Sequence, residues 1–126
     1  MPAYDSTNFR PPAPVVLVTL RSPASGTTVS DVLMLLDTGA DVSLVPRRVI
    51  SDAASVSTAN VQYELEAFDG TRTVSRAVEL DMLFLGKSFR GQFLLVEGDY
   101  GIIGRNILNN LSLRLDGPAQ NWTEVP

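Results

Sequence analysis

Apolar residues along this chain recur mostly with the two-residue period of strands or in short runs, and only once with the spacing of a helix. "VVLVTL" (15–20) is rich in β-branched residues and ends in the turn signal "RSPASG", after which "VSDVLMLL" (29–36) reads as a second strand. "DVSLV" (41–45) is short, apolar and stops at Pro46. Residues 47–56 have two readings, a brief helix or an irregular crossover. "VQYELEA" (61–67) and "TRTVSRAVEL" (71–80) flank Phe68, Asp69 and Gly70, and Asp-Gly between strand-like runs signals a hairpin. This hairpin is long and polar enough to project from the core. "DMLFLGKSFRGQFLLV" (81–96) reads as two further strands joined around Gly86 and Lys87, and 97–101 as a loop. Ile102 and Ile103 form a short buried strand. Residues 104–111 are the best helix candidate, with apolar positions 107, 108 and 111 on one face. "LSLRL" (111–115) then alternates as a strand should. Four prolines make 1–14 an extended arm, and 116–126 closes as a tail. The pattern predicts one all-β domain over 15–115 with a single short helix near its end.

Composition narrows the chemistry more than the architecture. At 126 residues, one domain with a real core is the natural expectation. Charged residues are 19% and the net charge is −4, which carries no nucleic-acid footprint. No apolar run approaches the roughly 20 residues needed to cross a bilayer, and the N-terminus lacks the order of a signal peptide. No membrane partner is expected, and a cytoplasmic location is the default. The chain has no Cys and no His. That excludes Ser-His-Asp and Cys-His catalysis, disulfides and zinc sites built on Cys or His within one chain. Carboxylates, Tyr, hydroxyls, Arg and Lys87 remain. No metal or other cofactor is expected.

The stretch that does not fit a plain strand protein is "LLDTGADVSLVP" (35–46), where an apolar strand runs into Asp37, Thr38 and Gly39 and then turns apolar again. Taken alone, the triplet reads as a turn with Asp or Thr capping local backbone. A second motif, "GIIGRNIL" (101–108), follows about 65 residues later with an all-β stretch and the candidate hairpin between them. The two motifs in this order resemble the retropepsins, the single-domain aspartic proteases of retroviruses, retroelements and some cellular and bacterial relatives. The resemblance covers about twenty residues.

It implies a closed antiparallel acid-protease barrel, homodimeric, acting as an aspartic endopeptidase on a peptide or protein substrate. Two carboxylates about 3 Å apart cannot both ionise and hold one proton in common, so one activates water while the other supplies the acid. This chain carries one Asp-Thr-Gly, so the second acid would be Asp37 of another copy across a twofold axis. Gly39 would give its N–H to the carboxylate, and Thr38 would bond across the twofold. By the same resemblance, Asp41 contacts substrate backbone at the cleft edge and Arg105 pairs with acid near it. Leu35, Leu44 and Ile102 line side-chain pockets, while Phe68, Asp69, Gly70 and Thr71 form the flap tip. The C-terminal segment departs from the short apolar terminal strand of viral enzymes, so the dimer interface is the least transferable part. Two alternatives stand beside this reading: a non-catalytic dimerisation or peptide-binding module on the same fold, and a glycosidase using Asp37 with another acid of the same chain.

Overall fold

A computed structural model describes residues 2–50, 58–66, 70 and 72–126, with 58–66 and 72–76 described by their backbone alone. Among the described residues there are ten strands: β1 (Tyr4–Asp5), β2 (Ala13–Arg21), β3 (Thr28–Leu36), β4 (Leu44–Pro46), β5 (Thr58–Glu66), β6 (Arg72–Phe84), β7 (Lys87–Val96), β8 (Gly101–Ile103), β9 (Leu113–Asp116) and β10 (Asn121–Glu124). The α-helix among the described residues, α1 (Arg105–Leu108), lies between β8 and β9.

Six strands close into a barrel in the order β2, β3, β8, β4, β7, β6 and back to β2. The expectation of an antiparallel barrel holds at four seams. The other two, β3 with β8 and β4 with β7, are parallel. The cause is local: after β3, residues 37–43 carry the chain past the end of β8. β4 therefore lands on β8's far side and pairs with it antiparallel at Leu44 and Ile102. Closure is helped by a register shift in β2 between Val18 and Leu20, where the strand bends and its end takes up β6 as a second partner.

Strand alternation places the core. Val18 and Leu20 of β2, Val32, Met34 and Leu36 of β3, and Val78, Leu80, Met82 and Phe84 of β6 all face inward and are buried. Ile103, Ile107 and Leu108 complete the same cluster. Each such side chain contributes about 1.5–3 kcal/mol by leaving water.

Several elements differ from the sequence-based expectation. Residues 72–84 are one continuous strand, not two, because apolar positions 78, 80, 82 and 84 keep a single phase across residue 80. Its turn to β7 is the pair Leu85 and Gly86, with φ of 54° and 70°, the positive values of a type I′ hairpin. The helix is a single turn, shorter than 104–111. Beyond Leu108 the chain continues with three-residue backbone bonds, from Asn110 N–H to Ile107 C=O and from Leu111 N–H to Leu108 C=O. Of 47–56, residues Arg47–Val49 form a 3-10 turn, while 51–57 lie outside the described residues.

Both terminal segments are paired among the described residues. Tyr4 and Asp5 pair with Pro14 and Ala13, which gives the expected arm a strand of its own. β10 pairs along its whole length with β9, so the segment read as a tail contains the turn and return strand, Asn121–Glu124, of a hairpin. Trp122 is fully buried there. Its Nε1–H donates to the Val15 carbonyl at 2.8 Å, and its backbone N–H donates to the Pro2 carbonyl at 3.0 Å. Of the two roles open to Trp122, anchoring within the chain is the one the contacts describe.

Candidate active site

Asp37 is the first residue past β3, and the parallel β8 holds it in place: its N–H donates to the Ile103 carbonyl at 3.0 Å. The chain then turns at once, with the Ala40 N–H donating to the Asp37 carbonyl at 3.2 Å. Within this turn, the Gly39 N–H donates to Asp37 Oδ1 at 2.8 Å. A Cβ on Gly39 would sit 3.0 Å from that same oxygen, tighter than ordinary packing allows. Glycine is what lets the backbone come this close. Asp37 is half-buried, while Thr38 and Gly39 are exposed.

The second motif buttresses the turn from below. The Arg105 N–H donates to the Ala40 carbonyl at 2.8 Å, and Arg105 Nη1 donates to the Thr38 carbonyl at 2.6 Å. A Cβ on Gly104 would meet the Val42 carbonyl oxygen at 2.3 Å, so the crossing of the two motifs requires glycine there. Among the described residues Arg105 makes no ion pair with Asp41. Its partner is main chain, and both side chains are exposed.

Two residues that sequence reasoning missed complete the junction. Ser43 is fully buried. Its hydroxyl accepts from the Gly104 N–H at 2.9 Å and donates to Asn106 Oδ1 at 2.8 Å. The sequence does hold a signal, a hydroxyl inside the apolar run "DVSLV". A buried polar side chain needs a partner, and here it joins the two motifs.

Leu35, Leu44 and Ile102 come together beside Asp37. Leu35 and Leu44 are both opposite Ile102 in the strand register, on the side of the sheet away from the barrel core. Leu44 packs with Ala77 and Leu94 in a second cluster that Ile102 joins. Gly70 is exposed with φ 85°, between strands β5 and β6 that pair out to Glu66 and Arg72. The other flap-tip candidates, Phe68, Asp69 and Thr71, lie outside the described residues. Arg47 pairs with Glu97 at 2.7 Å and Arg48 with Asp99 at 3.6 Å, which ties the 3-10 turn to the loop before β8.

A family model described as "Retroviral aspartyl protease" matches residues 12–116, most of the chain. The chain belongs to the retroviral aspartyl protease family. Among solved structures, "EIAV protease complexed with the inhibitor HBY-793" is similar, with a TM-score of 0.54 at 20% identity, over 78% of this chain and 86% of that one. At that identity the likeness concerns the fold. No curated protein matches the chain.

Proposed function

We propose that the protein is an aspartic endopeptidase whose catalytic dyad is Asp37 of one chain and Asp37 of a second, paired across a twofold axis. The observation that carries this reading is the turn at 37–40. It orients one carboxylate with the Gly39 N–H, braces it from Arg105, and leaves Thr38 and Gly39 exposed on the surface a partner would cover. One proton is shared by the two acids. The ionised carboxylate removes a proton from water as the water oxygen attacks the peptide carbonyl. The protonated carboxyl donates its proton to the carbonyl oxygen, and collapse of the resulting diol protonates and releases the amine. No cofactor takes part.

The peptide substrate lies extended between the floor at Asp37 and the β5–β6 hairpin, bonded through its main chain. Leu35, Leu44 and Ile102 form apolar pockets beside the cut bond, with Asp41 on the substrate backbone at the edge. Phe68, Asp69 and Gly70 cover it. Thr38 bonds across the twofold, and Arg105, by holding the Thr38 carbonyl, keeps that contact in register.

Mixing tests the dyad directly. An Asp37→Asn chain is inactive, and each dimer it enters loses its second acid. An equal amount of this variant therefore halves cleavage per wild-type chain, and a ninefold excess leaves about a tenth. Cleavage unaffected by excess variant under conditions where chains exchange would exclude a dyad shared between chains. Sedimentation of the same mixtures reports the exchange.

A further inference from the structure

The sheet face that carries Asp37 continues away from the acid as an apolar surface. Because Val32, Met34 and Leu36 point into the core, Asp37, Leu35 and Leu33 share the opposite face of β3. Leu35 lies opposite Val15 and Ile102, and Leu33 lies opposite Leu17. Leu17 is 57% exposed, an unusual position for a leucine in a closed barrel. The N-terminal arm walls this floor, making a groove of about 700 Å³ between residues 2–8 and Val15, Leu17 and Leu33. The arm then ends against the segment leading into β8: Phe9 packs edge-on to Tyr100, with ring centroids 4.7 Å apart at 62°. Tyr100 directly precedes Gly101, which lies opposite Met34, so this aromatic pair stands toward the Leu33 end. The arm through Pro11 lies outside the 12–116 match, so its wall is an addition of this chain to the matched region.

We propose that this groove is an extended substrate subsite that selects a bulky apolar side chain three to four residues from the cut bond, a reading that rests on the proposed peptidase activity. The span fits: Asp37 to Leu33 is four residues of extended strand, about 13 Å, which is also the reach of four residues of extended peptide. The floor is apolar, and the arm's one acid, Asp5, is turned to its own backbone and side-chain neighbours. Asp5 accepts from the N–H groups of Thr7 and Asn8 at 2.8 and 2.9 Å and from Asn8 Nδ2 at 2.8 Å. An aromatic or leucine side chain laid along this floor covers Leu17 and Leu33, which a small polar side chain leaves in water.

Two peptides identical except for Phe or Ser at the fourth residue from the cut bond measure the preference. The wild type should favour Phe about tenfold in kcat/KM, and Leu17→Ser and Phe9→Ala should each bring the ratio to within about twofold of unity. An equal rate for both peptides in the wild type, or a ratio unchanged in both variants, overturns the subsite. So does a Leu17→Ser variant that changes sedimentation from dimer to monomer with its ratio intact, since the face would then be a contact between chains. Absence of any turnover would count against the peptidase reading instead. Binding of the same labelled pair to Asp37→Asn, followed by fluorescence anisotropy, then decides the groove: about tenfold tighter binding of the Phe peptide upholds it, and equal binding removes it.

Discussion

Asp37 and Asp81 are two acids of one barrel, and they are handled in opposite ways. Asp81, on the outward side of β6, is 1% exposed and has four hydrogen bonds from arginines of the two flanking strands. Arg21 Nε and Nη2 reach it at 3.2 and 2.9 Å, and Arg90 Nε and Nη2 at 2.7 and 3.1 Å. Both arginines are its direct register partners, at the seam where β2 meets β6 and the barrel closes. Bonds from Arg90 first, opposed by burial and then helped by Arg21, lower its pKa from 3.8 to about 2. Among the described residues Asp37's carboxylate receives one neutral donor, the Gly39 N–H, and it is only partly buried. An acid completed by its own chain serves to hold the barrel. An acid left incomplete is available to react, and the missing part is what a second chain would bring.

Exchanging each acid for its amide should separate the two roles. Asp37→Asn is expected to reduce peptide cleavage by at least about a thousandfold while leaving the melting temperature nearly unchanged. Asp81→Asn should do the reverse. It leaves two arginines without their charge partner and costs roughly 2 kcal/mol, held below the full buried-pair range because both arginines reach solvent. That corresponds to a Tm lower by about 6–12 °C. Equal losses of stability in the two variants would erase the distinction.

The pH dependence follows with a definite sign. Asp81 is more acidic folded than unfolded, so its stabilisation is present in full above the unfolded value, 3.8, and is lost as pH falls through about 2. The barrel should therefore keep this clamp across a mildly acidic working range. Thermal melts of the wild type should steepen between pH 4 and 2, and Asp81→Asn should remove that part of the slope.

Smaller effects sharpen the same contrast. Ser43→Ala deprives the Gly104 N–H and the Asn106 side chain of their buried partner, at about 1–2 kcal/mol. Because this junction supports the Asp37 turn, cleavage should fall about tenfold, more than the stability change alone accounts for. At the far end, Arg47→Ala removes an ion pair whose side chains are 57% and 82% exposed, and should shift stability by less than about 0.5 kcal/mol.

Much of this was legible in the chain itself, but unevenly. The β2 and β3 runs, the strand at Ile102 and the turn near Gly86 could be placed because their apolar alternation has one phase and a clear end. The same alternation suggests a false break in β6 at residue 80, because Asp81 interrupts the apolar run yet occupies an outward position that alternation assigns to polar residues. The hairpin at the C-terminus is not legible locally because "DGPAQNWTEVP" contains one large apolar residue, Trp122, and its burial depends on residues far away in the chain, Pro2 and Val15.

For the site, Asp37, Thr38, Gly39 and Arg105 were found as a pattern of residue types at fixed spacing, which is a local property of two short segments. That Arg105 turns to the Thr38 carbonyl, that Ser43 and Asn106 fasten the segments, and that Arg21 and Arg90 converge on Asp81 could not be read this way. Each depends on which strands become neighbours across 60 or more residues of chain, or on the phase in which two strands register. Sequence by itself determined the strand-rich class, the absence of His and Cys chemistry, and the single acid at the end of an apolar strand. Tertiary structure alone decided which side chains meet, because pairing register and barrel closure arise from contacts among distant segments that no local period encodes.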